Sequence, residues 1–127
     1  MATIEVTEKN FHKVTQRQGI VILDFWADWC SACKAFSPVY EAASEKYAHV
    51  AFGKVDTEAA RQLAEDIGIR ALPTVAVYRD SIRVFSQAGA LPKPVLENLI
   101  TQVEALDMDQ VRTELEAHSH EPGHVHS

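Results

Sequence analysis

An apolar run from Ile20 to Trp26, in the segment QGIVILDFWADW, constrains the fold of this chain more than any other feature. The run is rich in β-branched and aromatic side chains, which is typical of a strand buried on both faces of a parallel sheet. Such a strand needs helices packed above and below it. The run therefore predicts a central strand.

Four further strands are predicted from composition and alternation. Val50 to Asp56 has the composition of the next central strand, and Ile4 to Val6 is a candidate edge strand. The segment after Pro73 divides into two short strands around the polar turn Arg79-Asp80-Ser81, which indicates an antiparallel hairpin.

Helices are predicted between these strands. The segment CSACKAFSPVYEAASEKYA has helical composition, and Pro38 is expected to bend it. Thr7 and Thr57 are expected to cap two short helices. A pair of prolines opens a further helix, whose apolar stripe runs from Val95 to Leu106. The predicted order is βαβαβαββα.

Length and charge limit the classes of function. With 127 residues and 46% hydrophobic content, the chain suits one globular domain with its own core. The N-terminal segment MATIEVTEKNF lacks a basic leader, and no segment approaches membrane-spanning length, so we expect a cytoplasmic protein with no membrane partner. The net charge of -6 argues against a nucleic-acid partner.

The two cysteines of the chain, Cys30 and Cys33, follow Trp29 where the apolar strand leads into a helix. Residues at i and i+3 share a helix face and are close enough for a disulfide. At the helix N-terminus, unpaired N–H groups and the macrodipole favour a thiolate at Cys30. We therefore expect Cys30 to be the nucleophile and Cys33, one turn deeper, to be more buried.

Other interpretations of the pair remain open. A zinc site needs about four ligands, and neither His12 nor His49 falls in a partner motif, so we expect no metal. Two inert buried thiols are the other alternative. A structural staple is disfavoured because a bridge over two residues hardly constrains the unfolded chain.

Asp24 lies inside the apolar run, on the strand face that Ile22 and Trp26 share. Burial raises the pKa of a carboxyl group, which suits a residue that exchanges a proton with a thiol. Lys54, on the next predicted strand, is a candidate partner for that charge. The alternatives are an aspartate that reaches water at a strand end and an ordinary solvated lysine.

Four segments together resemble the thioredoxins in order and spacing, from about Ile4 to Leu106: DFWADWCSACKAFSP, FGKVDT, GIRALPTVAVY and AGALPKPVLENLI. The resemblance implies an α/β thioredoxin fold, with a central mixed, mostly parallel sheet and helices on both faces. It also implies an enzyme that reduces protein disulfides by dithiol exchange, without a bound cofactor. A thioredoxin-reductase-like flavoprotein that uses NADPH would regenerate it, and we expect a monomer.

The resemblance implies roles for single residues. Cys30 would be the nucleophile and Cys33 the resolving thiol, while Asp24 would accept the proton of Cys33 with Lys54 as its partner.

A substrate groove is implied as well. Pro73 would be a cis-proline facing the cysteines, although the residues alone predict a trans bond. The backbone of Leu72 would pair with an extended substrate segment, and Trp29 and the Gly89-Ala90 turn would flank it.

Between the cysteines the chain departs from the family, with Ser31-Ala32 in place of the usual Gly-Pro. Without the proline, a backbone N–H and the Ser31 hydroxyl become donors for a thiolate, which is expected to make the couple more oxidising. Two alternative functions stay open: a partner-binding module on the same fold, and a disulfide oxidase or isomerase.

Residues 107–127 lie beyond the resemblance, which assigns residues 1–106 to the domain. Met108, Val111 and Leu115 recur at helical spacing and predict a short added helix over residues 107–117. Residues 118–127, HSHEPGHVHS, hold four of the six histidines and predict a disordered tail with incidental metal affinity.

Overall fold

A five-stranded mixed sheet forms the centre of the computed structural model, which describes residues 2–119. The strands are β1 (Thr3–Val6), β2 (Ile20–Trp26), β3 (Ala51–Asp56), β4 (Thr74–Arg79) and β5 (Ile82–Ala88). Their order across the sheet is β1-β3-β2-β4-β5. β3 pairs in parallel with β1 and β2, whereas β4 is antiparallel to β2 and β5. The apolar run is thus the central strand, as predicted.

Five helices connect or follow these strands: α1 (Phe11–Thr15), α2 (Ser31–Lys46), α3 (Arg61–Ile67), α4 (Lys93–Glu104) and α5 (Met108–Ser119). Up to α4 the element order is the predicted one. The division into a domain and a tail at residue 106 stays a prediction. Of the predicted disordered segment, residues 120–127 lie outside the described residues.

The alternation of side chains along β2 divides the core into two clusters. Ile20 and Ile22 pack with α2 and α4 on one face, while Val21, Leu23 and Phe25 pack with α1 and α3 on the other. By the same alternation Asp24 falls on the face covered by α2. An ionisable group is therefore placed in a layer that is otherwise apolar.

Tyr40 fixes α2 against the two strands that carry the polar site. Its ring is fully buried, and its hydroxyl lies 2.9 Å from the Ile22 carbonyl oxygen and 2.7 Å from the Gly53 carbonyl oxygen. One hydroxyl proton serves both acceptors, which belong to β2 and β3. The position of α2 relative to these strands is consequently specified by a polar contact as well as by packing.

One of the two predicted helix caps is wrong. α1 begins at Phe11, but the Thr7 hydroxyl accepts from the N–H groups of Lys9 and Asn10, and the Phe11 N–H donates to the Thr7 carbonyl oxygen, so Thr7 caps the turn that leads into α1. α3 begins at Arg61, and the Thr57 hydroxyl instead lies 3.1 Å from the Trp26 carbonyl oxygen, to which it donates. A turn therefore comes between Thr57 and α3.

The predicted stripe of α4 is also too wide. Val95 is 49% exposed, whereas the residues that share the core face are buried: Leu96, Leu99, Ile100 and Val103. Val95 precedes Leu96 by one residue and is therefore turned by about 100° around the helix axis.

Replacing Gly53 with alanine is expected to destabilise the protein, because a Cβ there would lie 2.7 Å from Val6 Cγ2 and 2.8 Å from Leu23 Cδ2. Overpacking of this kind lowers the free energy of unfolding by about 1–3 kcal/mol, which urea denaturation will measure. In a Leu23→Ala background the added methyl group should cost less. An equal cost in both backgrounds would show that crowding is not the cause.

Candidate active site

The two cysteines form a disulfide at the start of α2, with their Cα atoms 5.3 Å apart. Cys30 is the N-cap residue of the helix, and the backbone N–H of Cys33 donates to its sulfur at 3.1 Å. The free N–H groups and the dipole of a helix N-terminus stabilise negative charge. In the reduced protein the same place therefore favours a thiolate at Cys30.

The two cysteines are almost equally buried, but different groups lie beside them. Cys30 is 6% exposed and Cys33 is 4% exposed, so the expected difference in burial is small. Cys30 directly follows the exposed Trp29. Cys33 instead lines a cavity of about 110 Å³ that Asp24 also lines. The asymmetry between the thiols thus comes from the groups beside them.

Asp24 is buried in the face of β2 toward α2, with 1% of its surface exposed. Its Oδ1 atom has no hydrogen-bond partner among the described residues. Burial raises the pKa of Asp24 to about 7, against the opposing charge of Lys54 and with a further rise from Glu41. The alternative of an aspartate that reaches water at a strand end is therefore wrong.

Lys54 lies opposite Asp24 in the β2–β3 register. Its ammonium lies 3.3 Å from Ser37 Oγ, 3.5 Å from Glu41 Oε2 and 5.5 Å from the centre of the Trp26 ring. Among residues 2–119, no hydrogen bond or ion pair joins it to Asp24. Lys54 is thus no ordinary solvated lysine, but its direct ionic partner is Glu41, and it acts on Asp24 through space.

Sequence reasoning missed Ser37 and Glu41. Both lie on the α2 face of Cys33, at steps of four residues, where side chains stack one above another. The Glu41 carboxylate also accepts from Thr3 Oγ1, at 3.3 Å, and so contacts the edge strand β1. The spacing of four residues from Cys33 to Ser37 and on to Glu41 is the sequence signal that could have identified them.

Trp29 forms one side of a groove beside the cysteines. Its side chain is 68% exposed, and its indole N–H donates to Glu58 Oε2 at 3.2 Å. Glu58 in turn forms an ion pair with Arg61 at 3.0 Å. Trp29 and Leu72 line the same groove, whose volume is about 190 Å³. Sequence reasoning also missed Glu58 and Arg61, because an exposed pair of opposite charges three residues apart is common on protein surfaces.

Pro73 follows Leu72 through a cis peptide bond. The resemblance predicted this bond, and the residues alone predicted the opposite. The Gly89 N–H donates to the Pro73 carbonyl oxygen at 2.7 Å, and Gly89 has a φ of 108°, which favours glycine. The structure therefore brings Pro73 and Gly89 together, with Ala90 exposed next in the chain.

Residues 2–119 hold no group of three or more His, Cys, Asp or Glu side chains placed to bind a metal. In the same part of the chain, no helix has both the length and the apolar character to span a membrane.

Known proteins match this chain over most of its length. The thioredoxin family model matches residues 2–102. A putative thioredoxin 2 of Streptomyces coelicolor is 47% identical over 111 residues, which cover 87% of this chain and 83% of that protein. A thioredoxin of Coprinus comatus is 42% identical over 92 residues, which cover 71% and 86%.

Solved structures agree with the sequence matches. Thioredoxin f of spinach chloroplasts has a TM-score of 0.76 and 31% identity, and the match covers 82% of this chain and 95% of that one. A mutant thioredoxin of Halobacterium salinarum also has a TM-score of 0.76, with 30% identity and coverage of 82% and 92%.

Replacing Asp24 with asparagine is expected to raise the free energy of unfolding in a pH-dependent way. Burial raises the pKa of Asp24 to about 7 in the folded protein, from an ordinary value of 3.8. Between these values the folded state binds the extra proton, so wild-type stability falls as the pH rises from about 4 to about 7. The gain in the variant should be small at pH 4 and reach up to about 4 kcal/mol above pH 7.

Urea denaturation of the oxidised proteins at pH 4, 6 and 8 will measure this gain. Asp28→Asn is the matched control, because Asp28 lines the same cavity but is exposed. A gain that is equal at all three pH values would contradict the explanation by burial.

Proposed function

Because this chain belongs to the thioredoxin family, we propose that its Cys30–Cys33 couple reduces exposed disulfides of other proteins. The chain is a thiol-disulfide oxidoreductase, and the disulfide at the start of α2 is its redox-active group. One observation carries the proposed direction and division of roles. Cys30 occupies the helix N-terminus, while Cys33 shares a cavity with the Asp24 carboxyl group, whose pKa is raised by burial to about 7.

In the first exchange, the Cys30 thiolate attacks one sulfur of the substrate disulfide. A bond forms between Cys30 and that sulfur, and the other substrate sulfur leaves as a thiolate. The N–H group of Cys33, which donates to Cys30 Sγ in the oxidised protein, supports the negative charge on the attacking atom. The product is a mixed disulfide.

In the second exchange, Cys33 passes its proton to the Asp24 carboxylate and attacks the Cys30 sulfur. The second substrate cysteine leaves as a thiol or thiolate, so the substrate gains two electrons and this protein is left as the disulfide. A general base works best when its pKa lies near the operating pH. Burial raises the pKa of Asp24 to about 7, which meets this condition.

The groove beside the cysteines is the proposed substrate site. An extended substrate segment would pair with the backbone of Leu72 in the manner of an added strand, which tolerates many side chains. Trp29 on one side, and Pro73 with the Gly89-Ala90 turn on the other, would flank this segment. The shared groove of Trp29 and Leu72 and the Gly89–Pro73 hydrogen bond support this arrangement.

Regeneration would come from a thioredoxin-reductase-like flavoprotein that takes its electrons from NADPH. In this scheme the protein carries electrons to disulfide-containing proteins in the cytoplasm and maintains their redox state. Family membership supports this placement, as does the use of its two cysteines in one redox pair, since cytosolic disulfides are typically transient and catalytic.

A disulfide oxidase or isomerase is the second candidate, favoured by the exposed Ser31-Ala32 pair. The Ala32 amide belongs to the first N–H groups of α2, which have no partner within a helix. That donor is available to a thiolate, and it would raise the reduction potential. Equilibration with glutathione buffers decides between the two directions of electron flow.

Insulin reduction with dithiothreitol as the electron donor tests the proposal without a protein partner. The wild-type protein should accelerate insulin precipitation, and Cys30→Ser should not. In a separate reaction without dithiothreitol, pre-reduced Cys33→Ser should retain insulin in a mixed disulfide that a non-reducing gel reveals, because the second exchange is removed. Catalytic turnover by Cys30→Ser would exclude the proposed nucleophile. Capture of only one cellular protein, without insulin reduction by the wild type, would favour a partner-binding module.

Replacing Ala32 with proline is expected to lower the reduction potential, by roughly tens of millivolts, because it removes a donor to the thiolate. Proline is tolerated in the first helical turn, so the fold should be kept. Equilibration with a dithiol buffer of known potential measures the change. Ser31→Ala is the control that removes only the hydroxyl group. An unchanged or higher potential in Ala32→Pro would show that the backbone donor does not set it.

A further inference from the structure

The Lys54 side chain stands between two cavities. With Trp26, it lines both the cavity of about 110 Å³ that contains Asp24 and a groove of about 430 Å³ that extends to the edge strand β1. Cys33 lines only the inner cavity, and Glu41 lines only the outer groove. The Lys54 ammonium is thus placed where it can interact with Asp24 in the cavity or with Glu41 in the groove.

Glu41 is held in place on the outer side by contacts with two strands. It belongs to α2, its Oε2 atom lies 3.5 Å from the ammonium of Lys54 on β3, and its oxygens accept from Thr3 Oγ1 on β1 at 3.3 and 3.4 Å. Both charged side chains are largely buried. Partly buried ions are weakly screened, so this pair directs the ammonium more strongly than a surface pair would.

We propose that Glu41 is a positioning residue, which holds the Lys54 ammonium on the outer side and so leaves Asp24 without a direct ion pair. This inference rests on the proposed role of Asp24 as the base for Cys33. Without Glu41, the contacts left to the ammonium among residues 2–119 would be those with Ser37 and the Trp26 ring, and the ammonium would turn toward the Asp24 carboxylate. A carboxylate held in a direct ion pair stays ionised and accepts a proton less readily.

Glu41 and Lys54 have opposite effects on the pKa of Asp24. Glu41 raises the pKa of Asp24, and Lys54 lowers it. The other titratable groups around Asp24 are Cys33, Lys34 and Tyr40 of α2, and Asp28 after β2. β4 presents the apolar Val75 at the register position opposite Asp24. Removing Glu41 and removing Lys54 should therefore move the titration of Asp24 in opposite directions.

Carbon-13 NMR of the side-chain carboxyl group, in the full-length protein, will follow the titration of Asp24 directly. Glu41→Gln should move its midpoint to lower pH by about 0.5–1 unit, as expected for loss of a nearby like charge together with approach of an opposite one. Lys54→Met should move it to higher pH. Glu5→Gln is the matched control, because Glu5 lines the same outer groove and forms no ion pair with Lys54.

A double variant separates positioning from the charge of Glu41 itself. In a Lys54→Met background no ammonium is left to redirect, so Glu41→Gln should cause a clearly smaller shift. A full shift in that background would overturn the positioning role, as would no shift in Glu41→Gln or an equal shift in Glu5→Gln. Should Glu41→Gln not fold, Glu41→Asp withdraws the carboxylate by one methylene and should give a smaller shift to lower pH, whose absence would also overturn the inference.

The NMR titration does not depend on turnover. Loss of the expected shifts would refute the role of Glu41 and leave the disulfide-reductase proposal standing. Insulin reduction by Cys30→Ser would refute the reductase mechanism whatever the titration shows. With both intact, the pH profile of mixed-disulfide resolution should shift in Glu41→Gln in the same direction as the Asp24 midpoint.

Discussion

Burial of β2 on both faces is the constraint on which the site depends. Because apolar layers cover the strand above and below, its one ionisable residue, Asp24, is 1% exposed, and burial raises its pKa to about 7. The same strand ends at Trp26, shortly before Cys30 begins α2, so the strand also determines where the disulfide lies. The position of Asp24, whose burial lowers stability, and the position of Cys30, which takes part in the exchange, are thus both determined by β2. Buried ionisable groups are commonly kept for such functional reasons.

The elements that sequence predicted are those with strong apolar patterns. β2 follows from a continuous apolar run, the hairpin of β4 and β5 from alternation, and the helices from composition and apolar spacing. The cap at Thr57 was wrong because a threonine hydroxyl can donate to a strand carbonyl as readily as it accepts from a helix terminus. The cis bond before Pro73 came only from the resemblance, since local preference favours trans.

The polar partners of the site were harder to predict. A glutamate on a helix is usually solvated, so nothing local marks Glu41 as the partner of Lys54. The pairing results from the crossing of α2 over β3, which the Tyr40 hydroxyl fixes by contacts with two strand carbonyls. Asp24 was predictable because a carboxylate within an apolar run is conspicuous, whereas the group that directs its neighbour becomes visible only in three dimensions.

The contact between Trp29 and Glu58 has a consequence for the proposed substrate site. An exposed indole ordinarily samples several rotamers, and a partner that immobilises it loses affinity for that reason. Here the indole N–H is bound by a carboxylate that Arg61 holds in turn. These contacts restrict the rotamers of the large aromatic side chain in the free protein. In the proposed substrate groove, a bound segment would therefore lose less affinity to ordering of the indole ring.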